Sequence, residues 1–194
     1  DFTVEMETGT GKTYVYLRTI FELNKLYGFK KFVIVVPSVA IREGVIKNIQ
    51  ITQEHFQTLY DRVQVNAEVY DSKKVSNLRG FAADNAIQVL VINIDSFAKD
   101  ENVINKPYDR LTGKKPIEFI QSCNPIVIVD EPQNMETEIR KRAIENLNPL
   151  CTLRYSATHT NLYNLMYSLN PVKAYDLGLV KQIEVDSVLS ENDF

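Results

Sequence analysis

Two short stretches combine residue types that could act on a phosphoanhydride. The first is Glu7-Thr8-Gly9-Thr10-Gly11-Lys12-Thr13. Gly9 and Gly11 let the backbone pass close to a nucleotide's phosphates, where successive N–H groups and the positive end of a following helix favour an anion. Lys12 is then placed to reach the β- and γ-phosphates, and the Thr13 hydroxyl to ligate Mg²⁺. Met6 stands where the common GxxxxGK[ST] pattern has its first glycine, so only the tighter G-x-G-K-T part is present. The second stretch is Asp130-Glu131-Pro132-Gln133, directly after the apolar run Ile126 to Val129. A carboxylate at such a strand tip can hold Mg²⁺, often through water, while its neighbour polarises an attacking water as general base. Asp130 is assigned the first role and Glu131 the second.

Positioning these groups requires a particular kind of fold. Phe2 to Met6 reads as a strand, and Tyr14 to Tyr27 carries apolar residues at helical spacing, with Gly28 as its stop. Continuous apolar runs at 31–36, 87–93 and 126–129 suit strands buried on both faces of a parallel sheet. Gln64 to Tyr70 alternates as a further strand, and Cys151 to Tyr155 reads as another. Helices are expected at 39–50, resuming at 55–59, at 72–82 and at 136–147, with Ser38 as a cap and 99–115 as the longest and most mobile loop. Strands alternating with helices specify an α/β domain with a mostly parallel sheet flanked by helices. The phosphate loop, Pro37-Ser38, Asn93-Ile94-Asp95-Ser96, Asp130-Glu131 and Ser156-Ala157-Thr158 each begin where an apolar strand ends. All carboxyl ends of a parallel sheet share one edge, where such folds bind ligands.

The composition narrows the function classes. The chain has 194 residues, 44% hydrophobic and 24% charged, which is ordinary for a folded domain and excludes a disordered one. A net charge of −3 argues against bulk attraction to nucleic acid, so any such contact must be local. No apolar run is long enough to span a membrane. Cys123 and Cys151 suit a reducing, cytoplasmic setting but leave a disulfide between them open. His55 reads as a helix-surface residue and His159 as a loop residue. The ten tyrosines read as core-edge packing rather than base-stacking platforms. The phosphate loop follows a single strand, so an upstream element that recognises the base is expected to be missing. A strand expected at 182–189 has no partner after it and suggests that a second domain begins at Gln182.

The motifs at 6–13, 130–133 and 156–158 resemble motifs I, II and III of superfamily 2 helicases. Asp-Glu-Pro-Gln at 130–133, the run Val36 to Gly44 and Arg154 to His159 resemble the restriction (Res) subunit of type III restriction enzymes. The resemblance implies a RecA-like P-loop NTPase fold, with residues 1–181 as the first of two RecA-like motor domains and 182–194 as the start of the second. It implies ATP and Mg²⁺ as cofactors, with Thr8, Gly9, Thr10, Gly11, Lys12 and Thr13 around the nucleotide, Thr13 and Asp130 on the metal, and Glu131 and Lys12 in catalysis. Pro37, Ser38 and Arg42 match the first DNA-strand contact motif, and Asn93, Asp95 and Ser96 the expected place of a second. Ser156 and Thr158 match the motif that couples hydrolysis to domain movement, and Gln133 replaces the usual Asp or His beside them. The implied partners are double-stranded DNA, a modification (methyltransferase) subunit, and the second motor domain and nuclease domain of a longer chain. The family's nuclease motif ends in (Asp/Glu)-x-Lys; Asp71-Ser72-Lys73, with Asp61 upstream, is a poor match, so cleavage is not expected within these residues. A repair or RNA helicase, and a non-catalytic nucleotide-gated binding module, remain as alternatives.

Overall fold

Strand residues alternate between two cores, and that alternation aims the polar residues at the strand ends. The computed structural model describes residues 1–181, so the strand and domain start expected from Gln182 lie outside the described residues. Seven strands form one sheet: β1 (Phe2–Met6), β2 (Lys31–Val36), β3 (Val65–Val69), β4 (Ile87–Asn93), β5 (Ile126–Asp130), β6 (Cys151–Ser156) and β7 (Leu165–Leu169). Their spatial order is β3-β4-β2-β5-β6-β1-β7, and every neighbouring pair is parallel. All strand ends that carry motifs therefore share one edge, as a parallel sheet requires.

The helices divide between the two faces. On one face α1 (Lys12–Tyr27) and α2 (Val39–Leu59) pack Leu17, Ile20, Phe21 and Phe56 against Phe32, Ile34, Ile126 and Ile128. On the other, α3 (Asn77–Ala83), α4 (Ile117–Gln121) and α5 (Glu138–Glu145) cover Val33, Val35, Val127 and Val129. Asp130 is in phase with Ile126 and Ile128, so the period-2 pleat turns its side chain toward α1.

Several elements depart from the sequence expectation. The two helices expected at 39–50 and 55–59 are one continuous α2. The Thr52 hydroxyl donates to the Asn48 carbonyl at 2.7 Å, and Phe56 stacks on Phe21 with ring centroids 4.7 Å apart, so packing carries the helix through a weak stretch. The helix expected at 72–82 begins only at Asn77, because Asp71 closes a turn by accepting from the Lys73 N–H at 2.9 Å. The helix expected at 136–147 is confined to Glu138–Glu145 and follows a 3₁₀ turn at Pro132–Met135. The 99–115 segment is a loop, as expected, but part of it is regular. Two 3₁₀ turns, Val103–Asn105 and Asp109–Leu111, bury Ile104 and Leu111.

The helix α4, the edge strand β7 and the helix α6 (Pro171–Asp176) were not expected from the sequence. The first three residues of β7 are exposed, so it lacks the apolar alternation that reveals a strand. Both cysteines are free, and no helix among the described residues is long and apolar enough to cross a membrane.

Candidate active site

The loop between β1 and α1 holds Gly9 at φ 80° and Gly11 at φ 90°, a conformation that L side chains rarely adopt. A Cβ at either glycine would meet no atom within 4 Å, so the requirement is backbone conformation rather than space. Thr10 tightens the turn, its hydroxyl donating to the Glu7 carbonyl at 2.6 Å. Gly11 is the N-cap of α1 and supplies no side-chain acceptor, which leaves the first amides of the helix available to an anion. Thr8 lies in this loop, its N–H donating to Oε1 of Glu7 at 2.9 Å. Lys12 and Thr13 occupy the first turn of α1, both half-buried.

Lys12 reaches across the sheet edge to β5. Its ammonium pairs with Glu131 Oε1 and lies 3.9 Å from Asp130 Oδ1. Asp130 is 3% exposed, and its Oδ1 has no hydrogen-bond partner among the described residues. Burial raises the Asp130 carboxyl to about 6, against the opposing pull of Lys12. Glu131 shifts the other way. Its burial also favours the neutral form, but hydrogen bonds and charge from Lys12, with Gln133 and Ser156 as further donors, outweigh that and lower its pKa. Neighbouring carboxylates pushed apart in this way are suited to different tasks.

Glu131 has φ 57° and ψ 58°, a left-handed conformation unusual for a residue other than glycine. Its N–H still donates to the Tyr155 carbonyl at 2.9 Å, extending the β5–β6 pairing by one residue before the chain turns. The twist lets the carboxylate meet Lys12 through Oε1 and Gln133 and Ser156 through Oε2. Gln133 Nε2 donates to that oxygen at 2.7 Å, and Ser156 Oγ lies 3.0 Å from it and 2.7 Å from Gln133 Oε1. The Thr158 N–H donates to Ser156 Oγ at 3.0 Å. Gln133 from one motif, and Ser156 and Thr158 from another, thus join one network with Glu131. His159, expected on a loop, is there but half-buried, with Nε2 3.0 Å from the Val4 carbonyl.

The residues expected to touch a DNA strand lie farther along the same edge. Ser38 caps α2, its Oγ accepting from the Ile41 N–H at 3.3 Å, with Pro37 just ahead. Val36 pairs in register with Asn93, so the two candidate strand motifs emerge side by side. Asn93 Oδ1 accepts from the Asp95 N–H at 2.9 Å and starts the 3₁₀ turn Ile94–Ser96. Arg42 pairs with Glu43 at 2.9 Å, and Asp95 with Arg140 at 2.8 Å. Arg42, Asp95 and Ser96 line one polar cleft of ≈ 950 Å³. Glu68, Asp71 and Glu101 line it as well, so any phosphate contact there must be local.

Residues 1–161 match the family model of the type III restriction enzyme, res subunit. The chain belongs to this family. It is 35% identical to the Res subunit of the EcoP15I type III restriction-modification enzyme of Escherichia coli, over 93% of this chain and 21% of that protein. It is 32% identical to the StyLTI Res subunit of Salmonella typhimurium, over 94% of this chain and 22% of that protein. The chain thus spans about a fifth of the length of these curated relatives. Among solved structures it resembles a nuclease-deletion mutant of the Type ISP restriction-modification enzyme LlaGI in complex with a DNA substrate mimic, with TM-score 0.60 and 15% identity over 92% of this chain and 18% of that one. It also resembles the helicase MrfA bound to DNA and AMPPNP, with TM-score 0.56 and 12% identity over 88% of this chain and 25% of that one. These likenesses place the Res-family chain among helicase RecA-like folds, in agreement with the α/β expectation.

Sequence reasoning missed two features of this Res-family site. One is the left-handed Glu131, which no pattern announces in a non-glycine residue. The other is Tyr16, fully buried, whose hydroxyl donates to Asp130 Oδ2 at 3.3 Å. Its position three and four residues after Thr13 and Lys12, on the same helix face, was the available signal.

Proposed function

We propose that this chain is the ATP-binding motor domain of a DNA-dependent ATPase, the restriction subunit of a type III restriction-modification enzyme. In that reading hydrolysis licenses DNA cleavage by a separate nuclease domain. The observation that carries it is the meeting of Lys12 with Asp130 and Glu131 at one sheet edge, from segments over a hundred residues apart in sequence.

Thr8 to Thr13 bind the phosphates through loop amides and the uncapped N-terminus of α1, with Lys12 as the mobile charge. The unpartnered, buried Oδ1 of Asp130 and the Thr13 hydroxyl fit a magnesium ion, which needs only one or two protein oxygens when phosphates complete its shell. Bound there, Mg²⁺ would neutralise charge developing on the transferred phosphoryl oxygens. Glu131, kept ionised by its donors, orients the attacking water and takes its proton. Gln133, Ser156 and Thr158 share a network with Glu131, so displacement of the base during turnover is passed to the segment after β6. Pro37, Ser38, Arg42, Asn93 and Ser96 follow the backbone of a DNA strand. The second motor domain, the nuclease domain and a modification subunit are the partners this reading requires, and the cytoplasm is its setting.

The test is steady-state ATP hydrolysis by the intact protein with duplex DNA, single-stranded DNA and RNA in parallel, at fixed salt. Duplex DNA should stimulate turnover, more so with the modification subunit present. Stimulation by RNA alone would overturn the restriction assignment.

A further inference from the structure

Tyr16 is a phenol with no exposed surface, one turn into the helix that follows the phosphate loop. Helical spacing puts it on the α1 stripe of Lys12 and Ile20 and beside Thr13. Its hydroxyl donates to Asp130 Oδ2, while Oδ1 of the same carboxylate has no hydrogen-bond partner and lies on the Lys12 side. The two oxygens are thus unequal: one is tied to α1 and the other is free at the sheet edge. A carboxylate rotates easily about its terminal bond, so only a donor on one oxygen decides which oxygen faces a cation.

The ring is held as firmly as the hydroxyl. It meets Tyr155 edge-on, with centroids 5.5 Å apart and planes at 65°, and the Tyr155 hydroxyl lies 3.3 Å from Thr19 Oγ1. A phenol with an ordinary pKa of about 10 is protonated, and so a donor, at neutral pH.

We propose that Tyr16 is a positioning residue for the metal site: by tying Asp130 Oδ2 to α1 it presents Oδ1 to Mg²⁺ beside Thr13. The proposal rests on the nucleotide-site reading above. It adds a link that the motifs do not contain, since Tyr16 lies outside both stretches that carry the chemistry. The helix that positions Lys12 and Thr13 also orients the carboxylate on β5, so the two halves of the metal site move as one piece.

The test is the Mg²⁺ dependence of fluorescent ATP-analogue binding to the intact protein, in Tyr16→Phe, Tyr155→Phe and the wild type. Losing one hydrogen bond to a charged group should raise the half-saturating Mg²⁺ concentration about tenfold in Tyr16→Phe. Metal-free nucleotide affinity should stay within about twofold of wild type, since no group that touches the phosphates is removed. Tyr155→Phe removes a neighbouring buried hydroxyl without touching Asp130 and should leave the Mg²⁺ dependence unchanged. An unshifted Tyr16→Phe, or equal shifts in both variants, would overturn the proposal, since the hydroxyl would then serve packing alone. Nucleotide binding by the wild type that ignores Mg²⁺ altogether would instead sink the metal-site reading on which it rests.

Discussion

Lys12 is the residue through which the two chemical stretches meet, because its ammonium faces both Asp130 and Glu131. Lys12→Ala should remove measurable nucleotide binding, as followed by equilibrium titration of a fluorescent analogue. Glu131→Gln should bind within a few-fold of wild type but hydrolyse on the order of 10²- to 10⁴-fold more slowly. Normal turnover in that variant would remove Glu131 from the role of base. Asp130 makes a prediction about stability. Its carboxyl titrates at about 6 in the folded chain against an ordinary value of 3.8, so ionising it opposes folding. The penalty is absent below the ordinary value, grows as pH rises through the interval, and is complete above the folded value. Asp130→Asn, without magnesium or nucleotide, should therefore be more stable than wild type at pH 7 by on the order of 3 kcal/mol, an advantage that fades toward pH 4. Thermal melts across that range check it. The residue types at 12, 130 and 131 were legible in the sequence, but their split pKa values were not, because burial and donors come from other elements.

At the scale of elements, strands announced themselves best where both faces are buried. The Ile-Val-Ile-Val run of β5 is buried throughout, and Ile128→Ala should cost about 2–4 kcal/mol, measurable as a shift in denaturant midpoint. Helix limits were harder to read. The α2 helix runs through 51–54 because Phe56 is anchored on Phe21, a contact between residues 35 positions apart that local propensity does not register. The start of α2 offers a sharper experiment, because Ser38 both caps the helix and is proposed to meet a DNA strand. Ser38→Ala should lose about 1 kcal/mol of stability. Ser38→Asp should keep the cap, and hence the melting temperature, yet weaken DNA stimulation of ATPase by adding charge beside a phosphate. Full stimulation in Ser38→Asp would remove Ser38 from the strand contact.

At the scale of the whole molecule, the chain gathers its motifs at one sheet edge and spans about a fifth of its curated relatives. If, as the proposed function requires, a second motor domain completes the site, this chain alone should bind Mg-ATP yet turn it over far more slowly than the intact protein. Comparing the two by single-turnover assay checks that expectation, and equal rates would count against a site shared between domains. The α/β class, the parallel sheet and the gathering of five motifs at its carboxyl edge could all be read from the chain, because buried parallel strands leave apolar runs and each motif abuts one. The edge strand β7, the 3₁₀ turns within 99–115 and the Tyr16 link could not. An exposed strand, a turn held by side-chain hydrogen bonds and a donor on a distant helix leave no periodic trace. Sequence alone determined which residues stand at the sheet edge. Only the tertiary structure decided which oxygen of Asp130 is free, that Glu131 adopts a left-handed turn, and that one lysine serves both carboxylates, because each depends on contacts between segments far apart along the chain.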